Sequence, residues 1–368
     1  MASARYDLNQ LLHDCRSARL RMMPLVGDTL VSAGCAGNWY FDWIEQRIGR
    51  TETHIGIEYY TPRPDTLPDN VRWIENTVGD MNAIPDASCD TVLSGQNLEH
   101  LWPEEVVGFF AEAWRVLRSG GLLEVDSPNR LVTEPLCWSH PEHTVELTPN
   151  EARRLATLSG FDVAGLWGLW LCADPQTDAI WTLDPASSIA DWTIPERIQL
   201  AERDPDRSFI WWLEARKAQR QPDVAAMTRL MTSIFDTAWP ERTSRFLNAI
   251  GRRETEAGET WVQVGADESG AAVYGPYMPL RAGRYRSTTR IRATQARGGS
   301  KVRIDVVGDG GREIVVQELT VAELEARDGQ VVCEFDLSEL EFGMQARVFS
   351  PGGVEMAVRL PVAIEVIG

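Results

Sequence analysis

Residues 80–129 read DMNAIPDASCDTVLSGQNLEHLWPEEVVGFFAEAWRVLRSGGLLEVDSPN, and the order of patterns inside them decides the fold. The run CDTVLSGQ is short and apolar, as a buried strand should be. A helix is expected after Pro103, to about Arg118, because Val106, Phe109, Phe110, Ala113, Trp114 and Leu117 fall on one face. Ser119-Gly120-Gly121 is expected to end it, since glycine enters the left-handed region at low cost. LLEVDSPN then reads as the next strand. Strand, crossover helix, strand is the repeating unit of a parallel sheet.

The alternation continues upstream. In DTLVSAGCAGNWYFDWIEQRIG, residues 28–49, an apolar run ends in small residues and gives way to helical spacing of Tyr40, Trp43, Ile44 and Ile48. THIGIEYY and VRWIENTV follow as strands. Residues 5–21 have helical spacing of Leu8, Leu11, Leu12 and Cys15 and are expected to cover a sheet edge. Downstream, TPNEARRLATLSG carries a helix signature: Thr148 as cap, Pro149 at the first position, Glu151 at the third, Gly160 at the end. FDVAGLWGLWLC is a further strand. Residues 174–254 read as helical, with Asp204 capping DPDRSFIWWLEARKAQ and Phe209, Trp212 and Leu213 on its apolar face.

After about residue 255 the period changes. Some eight short alternating segments, separated by turns such as RGGS, GDGG and SPGG, read as an antiparallel β-sandwich. No tryptophan occurs after Trp261, so the chain changes character there. The expected fold class is α/β: a Rossmann-like, doubly wound, mostly parallel sheet over residues 1–173. A helical extension over 174–254 and a sandwich over 255–368 complete the expected domains.

Composition narrows the function. Hydrophobic residues make up 43% and charged residues 24% of 368, a globular balance. The net charge of −18 fits nucleic acid poorly, because non-specific binding there rests on Lys and Arg neutralising phosphates. It fits anionic lipid no better, which leaves a small molecule or a neutral polymer as the partner. No apolar run nears the roughly 20 residues a membrane span needs, and the N-terminus lacks the pattern of a signal peptide. The six cysteines are scattered without CxxC, which predicts reduced thiols in a cytoplasmic protein and no metal site.

Three features carry chemistry. SAGCAGN, residues 32–38, puts small residues at a strand-to-helix turn, where backbone N–H groups can approach a ligand. It reads equally as a plain tight turn, and it lacks both GxGxxG and a Walker lysine. Glu58 stands at the end of the next strand, where an acid can accept hydrogen bonds from ribose hydroxyls. Asp80 can take the amino group of an adenine, and Met81 can pack on its face.

With these residues in this order, the sequence resembles the class I S-adenosylmethionine-dependent methyltransferases, in the branch of small-molecule methylators, over roughly residues 25–170. The resemblance implies S-adenosylmethionine as cofactor, held by Gly34, Cys35, Ala36, Glu58, Tyr59, Asp80, Met81, Gln96 and Asn97. The chain departs from the family at Ser32, which replaces an acid, and at Ala36 and Asn38, which replace glycines. Asn38 is expected to take up the left-handed conformation of the missing glycine.

The acceptor expected is a hydroxyl of a small molecule, a sugar or a polysaccharide. Sandwich modules often bind carbohydrate, and Trp138, Trp170, Trp211 and Trp212 can stack on sugar rings or fill the core. Of the five histidines, His13, His54 and His100 sit away from the expected acceptor. His143, with His140 second, is therefore the candidate base, with Glu146 orienting it; structural loop histidines would look the same. A rival reading, prompted by the altered glycine loop, is an inactive relative that binds glycan or acts as an assembly scaffold. An NAD-dependent oxidoreductase is a third.

Overall fold

A computed structural model describes residues 7–24, 27–138, 140–185, 192–243, 245–296 and 300–367. The chain forms two units, one of Met1–Leu136 and Val145–Phe235, the other of Cys137–Thr144 and Asp236–Gly368. The elements of the first half, in order, are α1 (Leu8–Met22), β1 (Thr29–Ala33), α2 (Asn38–Ile48), β2 (Thr53–Glu58), β3 (Val71–Glu75) and β4 (Cys89–Gly95). They continue with α3 (Pro103–Val116), β5 (Leu117–Pro128), α4 (Arg130–Thr133), α5 (Pro149–Leu158), β6 (Phe161–Leu171), α6 (Ile194–Ala201), β7 (Ser208–Lys217) and α7 (Val224–Thr243).

The seven strands make one sheet in the order β3-β2-β1-β4-β5-β7-β6. Strands β1 to β5 pair in parallel, and β7 runs antiparallel to both its neighbours. The chain leaves β1 in one direction to reach β2 and lies in the other beside β4. This is a topological switch point, where open α/β sheets hold ligands at the carboxyl ends of their strands.

Side-chain caps start α1 and α5. Asp7 caps α1, its carboxylate accepting from the Gln10 N–H at 2.8 Å. Residues 5 and 6 of the expected leading helix lie outside the described residues. Thr148 and Glu151 form the reciprocal capping box that starts α5.

Two expectations are corrected. The stretch expected as a helix over SFIWWLEARK is β7. Phe209, Ile210, Trp211, Trp212 and Leu213 are all at most 3% exposed, so both faces are buried. A strand covered on both sides is a continuous apolar run, in which helical spacing is found without being used. The second correction concerns α3, which stops at Val116 with Leu117 already in β5. Gly120, at φ +74°, then falls inside that strand and does not cap the helix.

The second unit adds β8 (Arg252–Glu256), β9 (Glu259–Val264), β10 (Gly270–Val273), β11 (Pro276–Leu280), β12 (Gly283–Ala296), β13 (Lys301–Val307) and β14 (Glu313–Thr320). After the short helix α8 (Val321–Glu325) come β15 (Gln330–Leu337), β16 (Glu341–Ser350), β17 (Val354–Leu360) and β18 (Ala363–Val366). They form two antiparallel sheets. Val262, Ile291 and Val358 from one sheet share a core with Ile304, Val306 and Val348 from the other. Along β12, Tyr285, Ser287, Thr289 and Ile291 point inward, and the intervening arginines stay wet. Most of the RGGS turn lies outside the described residues. Among the described residues, no helix is long and apolar enough to cross a membrane.

Candidate active site

At the end of β1 the chain turns at Gly34, whose φ is +78°. The N–H groups of Gly34 and Cys35 both donate to the Ile57 carbonyl of β2, at 3.0 and 3.4 Å. A Cβ on Gly34 would stand 2.5 Å from Asn97 Oδ1. Asn97 in turn donates to Ser94 Oγ, which donates to the Ala33 carbonyl, so the amide is fixed over the turn. The second left-handed residue is Gly37, at φ +104°, just before α2. Asn38 does not take that role: it is the first residue of α2, and its amide donates to the Thr66 carbonyl.

Beside this turn lies a small open crevice lined by Gly34, Glu58, Tyr59, Tyr60, Asn76, Thr77, Val78, Asn97, Leu101 and Glu105. Glu58 is its charged anchor. One carboxylate oxygen, Oε1, accepts the N–H groups of Tyr59, Tyr60 and Thr61 at 3.1, 2.8 and 3.0 Å. These three donors fix the carboxylate, and Oε2 takes part in none of those bonds. Tyr59 and Tyr60 stand exposed at the rim with their rings edge to face.

Four of the residues implied by the resemblance therefore meet here: Gly34, Glu58, Tyr59 and Asn97. Others do not line the crevice. Met81 is fully buried beneath α3, its N–H donating to Glu112 and its carbonyl accepting from Arg115. Asp80 closes its own turn, accepting from the Asn82 N–H at 3.2 Å. Sequence reasoning missed Asn76, Thr77 and Val78, which take that wall instead. The signal was register: Glu58 pairs with Glu75, so the residues just after Glu75 come level with the crevice. The Cys35 side chain is buried against Gly56, where a Cβ would meet its sulfur at 2.6 Å, and burial raises its thiol pKa. Ala36 is exposed, and its carbonyl accepts from the Trp39 indole.

Gln96 belongs to a second polar group, at the ends of β4 and β5. Its amide donates to Asp126 Oδ1 at 2.7 Å, and Arg16 of α1 donates to Asp126 Oδ2 from Nε and Nη2, at 3.2 Å each. Ser32 is buried and turned sideways: its hydroxyl lies 2.8 Å from His54 Nε2, while His54 Nδ1 lies 3.1 Å from Glu45. Burial lowers the His54 pKa against the pull of Glu45.

Glu99, in the single turn Leu98–His100, is also buried and accepts from the Ser127 hydroxyl at 2.9 Å. Burial pushes its carboxyl up to about 8. Unfolded, the same carboxyl titrates near 4.5, so between those values the folded chain binds the extra proton. Stability should therefore decline as pH rises from about 5 to 8 and level off above. Urea midpoints across that range should show the decline in the parent and a flatter profile in Glu99→Gln; identical profiles would refute the assignment.

His140 and His143 lie in the second unit, in the segment Cys137–Thr144. Their ring centroids are 4.5 Å apart, and the His143 ring meets Trp138 at 5.5 Å. Glu146 accepts the Thr133 hydroxyl at 3.3 Å. Trp170, Trp211 and Trp212 are at most 1% exposed and cannot stack on a sugar; they fill the core because the central strands are covered on both faces.

The parallel sheet with this strand order, a glycine turn after β1 and an acid closing β2 is a Rossmann-like, doubly wound fold with a crevice at its switch point. Residues 31–125 match the family model described as methyltransferase domain. The chain is 32% identical, over 155 residues, to a probable S-adenosylmethionine-dependent methyltransferase of Mycolicibacterium smegmatis; the match covers 39% of this chain and 56% of the relative. A probable S-adenosylmethionine-dependent methyltransferase of Mycobacterium tuberculosis is 40% identical over 89 residues, 24% of this chain and 32% of the relative. The chain thus spans about half the length, or less, of these curated relatives. A solved S-adenosylmethionine-dependent methyltransferase from Archaeoglobus fulgidus aligns at a TM-score of 0.40 and 18% identity, over 56% of this chain and 94% of that one.

The residues fit the S-adenosyl group on structural grounds. Gly34 lines the crevice at a turn where the Asn97 amide leaves no room for a Cβ, and Glu58 presents a fixed carboxylate beside it.

Proposed function

We propose that the chain transfers a methyl group from S-adenosylmethionine to a hydroxyl of a small molecule or a sugar. The observation that carries this reading is the Glu58 carboxylate, clamped by three backbone N–H groups in the crevice beside the Gly34 turn. A carboxylate so held can accept from the ribose hydroxyls without moving, and the sulfonium side of the nucleoside would then lie toward the turn. The bound cofactor supplies a methyl group already activated on a sulfonium. The protein's task is then to align the acceptor behind that carbon, keep water out and receive the hydroxyl proton. His143, and after it His140, are the candidates for the proton. The sandwich supports a sugar acceptor by analogy of fold alone.

Calorimetry with S-adenosylhomocysteine tests the cofactor half of the reading. Glu58→Ala should weaken binding by about 1.5–3 kcal/mol, the range for hydrogen bonds to a charged group. Unchanged affinity in a folded variant would remove the ribose from Glu58. No binding by the parent would favour the inactive scaffold. Transfer of labelled methyl to a panel of small alcohols, phenols and oligosaccharides tests the acceptor half, and labelling of none of them would refute it.

A further inference from the structure

A second pocket lies at the β6 edge of the sheet, between α1, β6 and α6, and shares no residue with the crevice. Its walls are mostly apolar: Cys15, Ala18 and Met22 from α1, Leu169 from β6 and Ile198 from α6. Burial pushes the Cys15 thiol up to about 11, so that wall carries no charge at neutral pH. Met22 is 60% exposed, and the pocket reaches solvent on that side. Into this apolar lining comes the guanidinium of Arg19, a residue only 9% exposed. It lies flat on the Trp167 ring, with Cζ 3.3 Å from the centroid, and Trp167 is itself part of the wall. Among the described residues the buried Nε of Arg19 has no hydrogen-bond partner. Nη2 lies 3.7 Å from Glu214 Oε2 on β7, beyond hydrogen-bond reach.

Buried polar groups are hydrogen-bonded as a rule, and one left without an acceptor is costly. Stacking on an indole engages only the face of a guanidinium, while its N–H groups radiate in the plane and still call for oxygen. The surrounding charge decides what kind of oxygen. Glu214 stands directly across from Glu124 of β5. Glu124 is fully buried, one of its oxygens accepts the Trp212 indole N–H, and burial raises its carboxyl well above the usual range, so it is neutral. Glu214 and the pocket-lining Glu202 already act on Arg19 as negative charges. An anionic ligand would add a third to one guanidinium, whereas an uncharged oxygen meets no such repulsion.

We propose that this pocket is a second ligand site, for a small apolar molecule bearing one neutral carbonyl, whose oxygen accepts from Arg19 while its apolar body fills the space between α1 and α6. The site is distinct from the crevice and does not rest on the proposed use of S-adenosylmethionine.

The test compares three probes of one size: cyclohexanone, its hydrocarbon isostere methylenecyclohexane, and cyclohexanecarboxylate. Each is titrated into the full chain while the Trp167 indole N–H, assigned with Trp167→Phe, is followed by NMR. Cyclohexanone should bind about 10-fold or more tightly than methylenecyclohexane, the scale of one hydrogen bond to a charged group, and more tightly than the carboxylate. Arg19→Met keeps the apolar stem without the donors and should erase the preference of ketone over hydrocarbon. Ala18→Leu crowds the pocket from an exposed position of α1; it should weaken cyclohexanone binding and serves if Arg19→Met does not fold. The proposal is overturned by equal affinity for ketone and hydrocarbon, by a carboxylate that binds more tightly than the ketone, or by an indole that no probe shifts. Folded variants that keep the parental behaviour overturn it as well.

Discussion

Replacing His143 by alanine is expected to slow single-turnover methylation by about 10²–10⁴-fold, the contribution of a positioned general base, while cofactor still binds. The proposed acceptor, a hydroxyl, would have a pKa far above 7, so its proton would have to leave as the methyl arrives. A neutral imidazole has a free acceptor nitrogen at that pH, whereas lysine and arginine are already protonated. His143 is buried, and its backbone N–H donates to the His140 carbonyl at 3.2 Å, closing a tight turn around Pro141. His140, half-buried, has its Nδ1 3.4 Å from the Glu142 N–H. His143 is ranked first because the turn closed by its own N–H fixes its place in the segment. The rate of the chemical step, in variants that retain cofactor affinity, is the measurement that matters. A slow His140→Ala with a normal His143→Ala would reverse the ranking. Near-parental rates in both would move the base elsewhere.

The second large effect is expected at Gly34. Its φ of +78° is a region L side chains rarely adopt, and a new Cβ would stand 2.5 Å from Asn97 Oδ1. The backbone strain costs about 1–2 kcal/mol and forcing an atom into a packed site roughly 1–3 more. Gly34→Ala should therefore lose about 2–5 kcal/mol of stability in urea and, where it still folds, bind cofactor weakly. Asn97→Ala removes the obstructing amide and should recover part of the loss in the double variant, because the two side chains meet directly. If the two substitutions are simply additive, Asn97 is not what forbids a side chain at 34.

Much of this molecule is legible in the chain because it is written over short distances. The box at Thr148 and Glu151 and the clamp of Tyr59, Tyr60 and Thr61 on Glu58 each depend on neighbours within a few residues. The alternating β12 is another such case, since the face a strand side chain takes follows from its parity. These features, with the spacing of strands and helices, suffice for a mostly parallel sheet with a glycine turn and an acid at its carboxyl edge, and for an antiparallel unit.

What only the tertiary structure decided depends on chain brought from far away. Phe209, Trp212 and Leu213 have helical spacing, yet become a strand because β5 and β6 accept them on either side. Trp170, Trp211 and Trp212 have the composition of a sugar platform, but cover on both faces of the sheet makes them core. Which residues after β3 line the crevice, Asn76, Thr77 and Val78, follows from the pairing of Glu58 with Glu75, a contact between separate strands. Arg16 meets Asp126 across 110 residues of sequence, a partnership no local pattern encodes. Local hydrogen bonds and side-chain parity are properties of a segment, while burial and charge pairing are properties of whatever the rest of the chain puts beside it.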